Sequence, residues 1–406
     1  MTHSMAEAVT RKILSGVLLG TLCAAALLSC SEEPTPENSL VAVGPLSGFA
    51  TRETLLTATS TWYQRIYSPM NSVVNLTGRA GSFQAYTLLQ FFPSSFPARD
   101  TINVQSAQLR LRAVTWYGSP SASFGFTVYR IARSWSSSTT TWDSVQAGFY
   151  DSQPRGAFSV STAPDTFSIT IDLDTAMVRE WFQTSTSTTT TKYGIIFIPD
   201  GATTGCARGI YAFGTGDTAD WSPRLTVIAT NAAGTTRDTS IFSSGQDTFV
   251  GTDEFTPADP TVFPLHGGVN YRSGVRFDLT GIPKGSILNK AELTLRQDPT
   301  ASRISPFTAD TLISPHFLFA DTSLTSNFSS EDRTMFGRQL PGTPTVFAFD
   351  VRKLAQSWLR GPNYGALLRL TSDDEFSSAE LITFYGASAD SARRPALRII
   401  YSKPVQ

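Results

Sequence analysis

Seven side chains in this sequence have the types that hold sugar rings and their carboxylates. They are Trp62, Tyr63 and Arg65; Trp116 and Tyr117; and Tyr271 with Arg272. Indole and phenol faces stack on the apolar face of a pyranose, and a guanidinium clamps a carboxylate through two parallel hydrogen bonds. The competing assignment is that these aromatics fill cores or cover sheet edges. Residues suited to catalysis are sparse. Beyond the first thirty residues the only histidines are His266 and His316, and neither stands in a metal-ligand or nucleophile–base pattern. No Gly-x-Ser-x-Gly elbow or phosphate-cradling glycine loop is present. A pair of hydrolytic carboxylates, or the converging Tyr, Arg and His of a lyase, would leave no signature in spacing. A polysaccharide-degrading activity therefore stays open behind the expectation that the chain is not an enzyme. Loop carboxylates at Asp217 and Asp220, at Asp253-Glu254 with Asp259, and at Asp373-Asp374-Glu375 are hard oxygen ligands of the kind that hold Ca²⁺. None has the spacing of a calcium loop. No cofactor is expected, a structural calcium being the one ion these groups could take.

A different chemistry is written near the start. Arg11-Lys12 precedes the apolar run Ile13–Leu28, and Leu27-Leu28-Ser29-Cys30 has the order of a lipobox: aliphatic, tolerated, small, then cysteine. This predicts cleavage before Cys30 and acylation of its thiol, with residues 1–29 as a lipoprotein signal peptide. The apolar run is short of the roughly 20 residues that span a bilayer, which disfavours an uncleaved anchor. The expected location is extracytoplasmic, on a bacterial membrane held by lipid at Cys30. Ser31 in place of Asp at the following position favours the outer membrane. Residues 30–48, with Glu32, Glu33, Pro34, Pro36, Glu37 and Asn38, read as a solvated flexible tether.

What must position the candidate residues is a β-scaffold. Apolar residues recur at period two in Gln108-Leu109-Arg110-Leu111-Arg112, Leu225-Thr226-Val227-Ile228, Glu292-Leu293-Thr294-Leu295-Arg296 and Ala396–Tyr401. Such alternation puts one face on a core and the other in water. Formal charge is −1 with no basic run, so nucleic acid is not an expected partner. Of the three cysteines, Cys23 is removed and Cys30 acylated, leaving Cys206 alone; cores and ladders, not disulfides, must hold the fold.

The chain also repeats itself. Gln90–Pro97 lines up with Arg276–Pro283, and Val104–Leu111 with Leu288–Leu295. Ile171-Asp172-Leu173 leading to Trp181 matches Phe349-Asp350-Val351 leading to Trp358. Tyr193-Gly194 matches Tyr364-Gly365, and Phe213-Gly214 with Trp221–Leu225 matches Tyr385-Gly386 with Arg393–Leu397. The order predicts two tandem jelly-roll-like β-sandwich domains, 49–230 and 231–406, with a seam at Asn231–Thr236. Asp172 and Asp350 would cap short helical turns whose Trp181 and Trp358 plug the core. The Ser/Thr tract 184–191 reads as a solvated loop open to O-glycosylation.

Val275-Arg276-Phe277-Asp278-Leu279, Ile282-Pro283-Lys284-Gly285, Ser134-Trp135 with Thr141-Trp142-Asp143, Ala355-Gln356-Ser357-Trp358 and Arg394-Pro395-Ala396-Leu397 resemble landmarks of DNRLRE-type domains. The likeness covers nearly the whole chain after the tether as two diverged units, neither of which carries the DNRLRE string. It implies jelly-roll sandwiches in an accessory role on surface proteins, some members binding acidic polysaccharides such as alginate. The expectation is a surface-anchored, non-catalytic polysaccharide-binding lipoprotein. The alternative is a structural or adhesive spacer that docks envelope proteins.

Overall fold

The computed structural model describes residues 49–66, 70, 73–91, 101–183, 192–213, 221–253, 261–305, 313–318, 321–325, 338–340 and 343–404. Cys30, the tether, the signal segment and the tract 184–191 lie outside the described residues. No described helix is long and apolar enough to cross a membrane.

In chain order the elements are β1 (Phe49–Arg65), β2 (Val74–Ala80), β3 (Phe83–Phe91), β4 (Asn103–Gly118), β5 (Phe124–Ile131), β6 (Tyr150–Val160), β7 (Phe167–Asp172), α1 (Thr175–Phe182), β8 (Ile195–Pro199), β9 (Gly205–Tyr211), β10 (Arg224–Thr230) and β11 (Arg237–Asp253). There follow β12 (Val262–His266), β13 (Tyr271–Phe277), β14 (Ile287–Arg296), β15 (Ile313–Phe317), β16 (Arg338–Leu340), β17 (Thr343–Asp350), α2 (Arg352–Arg360), β18 (Ala366–Leu370), α3 (Ser372–Ser377), β19 (Leu381–Tyr385) and β20 (Ala396–Pro404). With 57% strand and 8% helix, the chain is an all-β sandwich fold, as the period-two pattern predicts. The alternation is visible in β4, where Val104, Ala107, Leu109, Leu111 and Ala113 are buried between outward-facing neighbours.

Among the described residues, two ten-stranded sheets carry the fold. One runs β11-β10-β4-β9-β2-β3-β8-β5-β6 with β7 on β4; the other runs β15-β18-β13-β1-β20-β14-β17-β16 with β12 and β19 attached. The repeated segments make equivalent pairings. Leu109 faces Leu225 and Ile171 in one sheet, and Leu293 faces Leu397 and Phe349 in the other. Trp181 packs into the first core and Trp358 into the second, both buried. The caps differ from expectation: Asp174, not Asp172, accepts the Ala176 N–H at the start of α1, while Asp350 does accept from Arg352 N–H ahead of α2.

The leading strand of each half is lodged in the other half's sheet. β1 pairs with β13 from Ala58↔Phe277 to Arg65↔Tyr271 and lies beside β20 on its other edge. β11 pairs with β10 from Thr230↔Arg237 to Arg224↔Ser243, then bulges and pairs with β3 down to Phe83↔Asp253. The stretch 231–236, read from the sequence as the seam, is the turn of the β10–β11 hairpin inside the first sheet. Asn231 Oδ1 accepts the Thr235 N–H at 2.9 Å there, and Gly234 takes the positive φ of 71° that the turn demands. The exchange follows from chain geometry. A tight turn lays β11 against β10, which fills that slot, so the equivalent slot between β13 and β20 is left for β1. Filling both pairs the edges of β10 and β3 in one sheet and of β13 and β20 in the other. Gly274 makes room for it: Trp62 of β1 lies over this glycine so closely that a Cβ would stand 2.2 Å from the indole.

A third core, formed by Leu76, Phe83, Tyr117, Phe249, Val269 and Ala379 among others, joins residues from both halves. Residues 51–403 form one compact unit.

Candidate functional site

The seven candidates from the sequence do not converge. Trp62 is half-buried over Gly274, and its indole N–H donates to Thr322 O at 2.9 Å. On the same face of that ladder, Arg272 is buried and holds Glu375 through Nε at 2.6 Å and Nη2 at 3.1 Å. Its Nη1 donates to the carbonyls of Leu324 and Thr325. Arg369 closes on the same carboxylate, and burial lowers the Arg369 pKa against the pull of Glu375. This guanidinium is committed to the interior. Tyr117 is a core residue, and Trp116 is half-buried with its indole N–H on Asp165 at 2.9 Å. Tyr63, Arg65 and Tyr271 do share a face of the β1–β13 ladder, the two rings 6.0 Å apart. Arg65 there borders a narrow crevice with Thr140, Trp142 and Gly268 that has room for about one water, ≈ 20 Å³. A sugar ring does not enter it. Trp135 and Trp142 are structural, the first donating to Tyr193 O at 2.7 Å and the second packing 4.7 Å from Tyr86.

The carboxylates considered for calcium are otherwise engaged where they are described. Asp253 Oδ2 lies 2.7 Å from His266 Nε2 and accepts from Arg303 at 2.9 Å, in a buried cluster; Glu375 is the arginine partner above. Cations already fill the space a metal would need. Asp217, Asp220, Glu254 and Asp259 lie outside the described residues, as do the side chains of Asp373 and Asp374. Among the described residues no group of three or more His, Cys, Asp or Glu is placed to hold a metal. Cys206 is buried in β9, where desolvation raises its pKa and disfavours thiolate chemistry.

The Asp253–His266–Arg303 cluster bridges the two halves. Asp253 ends β11 and His266 ends β12. Arg303 reaches across to donate to Ala80 O of the first half at 3.1 Å and lies 5.2 Å over the Phe83 ring. Complete burial lowers the His266 pKa, with the Arg303 charge adding to it and the Asp253 hydrogen bond opposing. Although burial works against it, Asp253 is held well below the ordinary carboxylate range by His266 and Arg303. The native state thus binds the His266 proton less readily than the unfolded chain does. Stability is complete above the ordinary histidine value of 6.5 and falls as pH drops through it. The Asp253 contribution persists until pH falls below the ordinary 3.8. Thermal melts from pH 8 to pH 5 should show a falling midpoint, and His266→Gln should flatten that slope; an unchanged slope in the variant would remove His266 as its cause.

Exposed aromatic surface gathers elsewhere, at the far end of β9. Trp221 is 48% exposed and Phe213 42%, with Tyr211 half-buried between the end of β9 and the start of β10. The Tyr211 and Trp221 rings stand edge-to-face, centroids 5.8 Å apart. Val73, 63% exposed, adjoins them: its carbonyl accepts from Ala212 N–H, and Val74 is the ladder partner of Tyr211. The exchanged strand props this platform, since Asp247 of β11 accepts the Phe213 N–H at 2.6 Å. Burial raises the Asp247 pKa, an effect that this bond and Asn75 oppose. The equivalent place in the second half is closed. Arg393 lies 4.6 Å over the Tyr385 ring and is ion-paired to Asp390. The sequence did carry a signal for this site, because Trp221 is the repeat position at which the second copy has Arg393.

No protein-family model and no curated protein matches this chain.

Proposed function

We propose that this chain is a lipid-anchored, non-catalytic surface protein whose tandem jelly-roll-like modules bind polysaccharide. The observation that carries the reading is the Tyr211–Phe213–Trp221 platform with Val73 beside it. Contiguous exposed apolar surface marks interaction sites, and here the Tyr211 and Trp221 rings are in edge-to-face contact with Trp221 open to water. Sugar recognition on a β-sandwich needs that surface. The lipobox at Cys30 and the resemblance to DNRLRE-type domains support the anchor and the polymeric ligand, with acidic, alginate-like chains as the first class to try.

The test is gel retardation and pull-down with the chain from Ser31 onward against alginate, pectin, xylan, chitin and peptidoglycan. Retention by one polymer should fall at least about tenfold in Trp221→Ala, the equivalent of roughly 1.4 kcal/mol. Phe213→Ala should act in the same direction, and Trp116→Ala, whose indole is tied to Asp165, should not. Retention unaltered by Trp221→Ala would dismiss the platform. Absence of retention by every polymer would favour the spacer or docking role, which the exchanged strands and shared core also suit by stiffening the chain.

A further inference from the structure

The first sheet carries a second aromatic surface, on β3, β8, β5 and β6. Tyr86, Tyr129 and Tyr150 are half-buried there, packed against a floor of Leu88, Ile131 and Ile196. Strand register puts the set on one face: Leu88 pairs with Ile196, Ile196 with Tyr129, and Ile131 with Tyr150. The Tyr129 and Tyr150 rings lie 5.4 Å apart, while Trp142 packs 4.7 Å from Tyr86 and fixes that ring from one side.

Polar groups border these rings and hold one another in place. Gln84 Nε2 donates to the Tyr86 hydroxyl at 2.5 Å, and Arg79 hydrogen-bonds the same oxygen. Arg79 Nη1 donates to Asp200 O at 3.0 Å, and Thr127 Oγ1 donates to Asp200 Oδ1 at 2.8 Å. With two donors on its oxygen, Tyr86 has its own O–H left to give. Burial raises the Tyr86 pKa, with Tyr150 adding to the rise and Arg79 opposing it, so the phenol keeps that proton. Gln84 Oε1 and Asp200 Oδ2 accept no bond among the described residues and complete the set as acceptors.

This chemistry selects among ligands. A hydroxyl both donates and accepts, and so can meet Tyr86 O–H and the Gln84 and Asp200 oxygens together. A carboxylate only accepts, and it would face Asp200; Arg79, the cation here, is already committed to Asp200 O and Tyr86. An extended peptide gains affinity by joining an open ladder, but β3, β8 and β5 are each paired on both edges. Phenol faces beside fixed hydroxyl-binding groups are what a sugar ring needs.

The repeat sharpens the contrast. Tyr86 and Ile198 correspond to Arg272 and Arg369 of the second copy, counting from the matched Phe91–Phe277 and Tyr193–Tyr364. There both guanidinium groups close on Glu375, and Arg272 ties down the Leu324 carbonyl beside them. The second half seals this face from within, and the first leaves phenols on it. We infer that this face of the first half binds a stretch of uncharged glycan, with Tyr129 and Tyr150 stacking on sugar rings and Tyr86, Gln84 and Asp200 reading hydroxyls. The site is independent of the platform at Trp221, and its carboxylate sets it against acidic chains.

The experiment is isothermal titration of the chain from Ser31 onward, which contains every described residue, with cello-, xylo-, manno- and chitohexaose. At least one should bind saturably, with an affinity that about 0.5 M salt leaves unchanged, because no ion pair contributes. Tyr129→Ala and Tyr150→Ala should each weaken binding roughly tenfold. Gln84→Leu, which keeps the size of the side chain and removes its hydrogen bonds, should weaken it about fivefold with a thermal midpoint near the parental one. That variant decides the matter if the tyrosine truncations fail to fold. Trp221→Ala should bind the hexaose normally, which separates this result from the platform test. A folded parent that binds none of the four hexaoses would overturn the inference. So would full affinity in both Tyr129→Ala and Gln84→Leu, or salt-sensitive binding of an alginate hexamer that Tyr129→Ala abolishes, since the face would then take an anion.

Discussion

Residues 49–230 and 231–406, produced as separate chains, will each fail to fold into a stable sandwich. The first lacks β11, so β10 and β3 lose their shared partner and the cores lose Phe242, Phe249 and Val250. Each of those side chains is worth about 1.5–3 kcal/mol when fully buried. With the ladder bonds added, the loss rivals the 5–15 kcal/mol that typically holds a domain together. The second lacks β1, which opens the slot between β13 and β20 and removes Ala58 and Trp62 from their sites. Each fragment also carries its partner's strand with nothing to pair against, an aggregation hazard. Circular dichroism melts should show no cooperative transition for either fragment near the midpoint of the full chain. Mixing the two should restore one, because each supplies the strand the other needs. If 49–230 alone melts cooperatively near the parental midpoint, β1 can fill its own half's slot, and the exchange is not obligatory.

Replacing Glu375 by alanine should be the most damaging single substitution at a polar residue. Its carboxylate holds Arg272 of β13 and Arg369 of β18, and Arg272 in turn ties down the carbonyls of Leu324 and Thr325. Removing one partner of a buried pair leaves charge in the interior without compensation, at a cost of about 3–5 kcal/mol. Here two guanidinium groups are left. For a unit of this size that corresponds to a fall in melting temperature of roughly 4–7 °C. Glu375→Gln retains the shape and one acceptor oxygen and should lose less. A Glu375→Ala midpoint within about 1 °C of the parent would mean that water reaches the two guanidinium groups and that the cluster is not sealed.

The placement of the candidate residues follows from what alternation can and cannot encode. Period two told which side chains of β4 and β14 turn inward, because the pleat sends successive side chains to opposite faces. It could not tell whether an inward position meets solvent, a ligand or another element. Arg272 illustrates this. Beside Tyr271 it has the composition of a carboxylate clamp, and it is one, but the carboxylate is that of Glu375, 103 residues further along the chain. Tyr117 follows Trp116 as an apparent aromatic pair, yet the pleat turns it into the core shared by both halves. Trp221 was legible only as a repeat landmark, and its exposure depends on how β9 and β10 end.

The sequence by itself determined the all-β character, the two plugging tryptophans and the equivalence of the repeated segments. These rest on local periodicity and on residues matched in order. Only the tertiary structure decided which sheet receives β1 and β11, since the N–H and C=O groups along a strand edge are the same whatever the side chains. The choice between two equivalent slots is made by the short turn at Asn231–Thr236 and by the room over Gly274 for Trp62, contacts that exist only once the chain has folded.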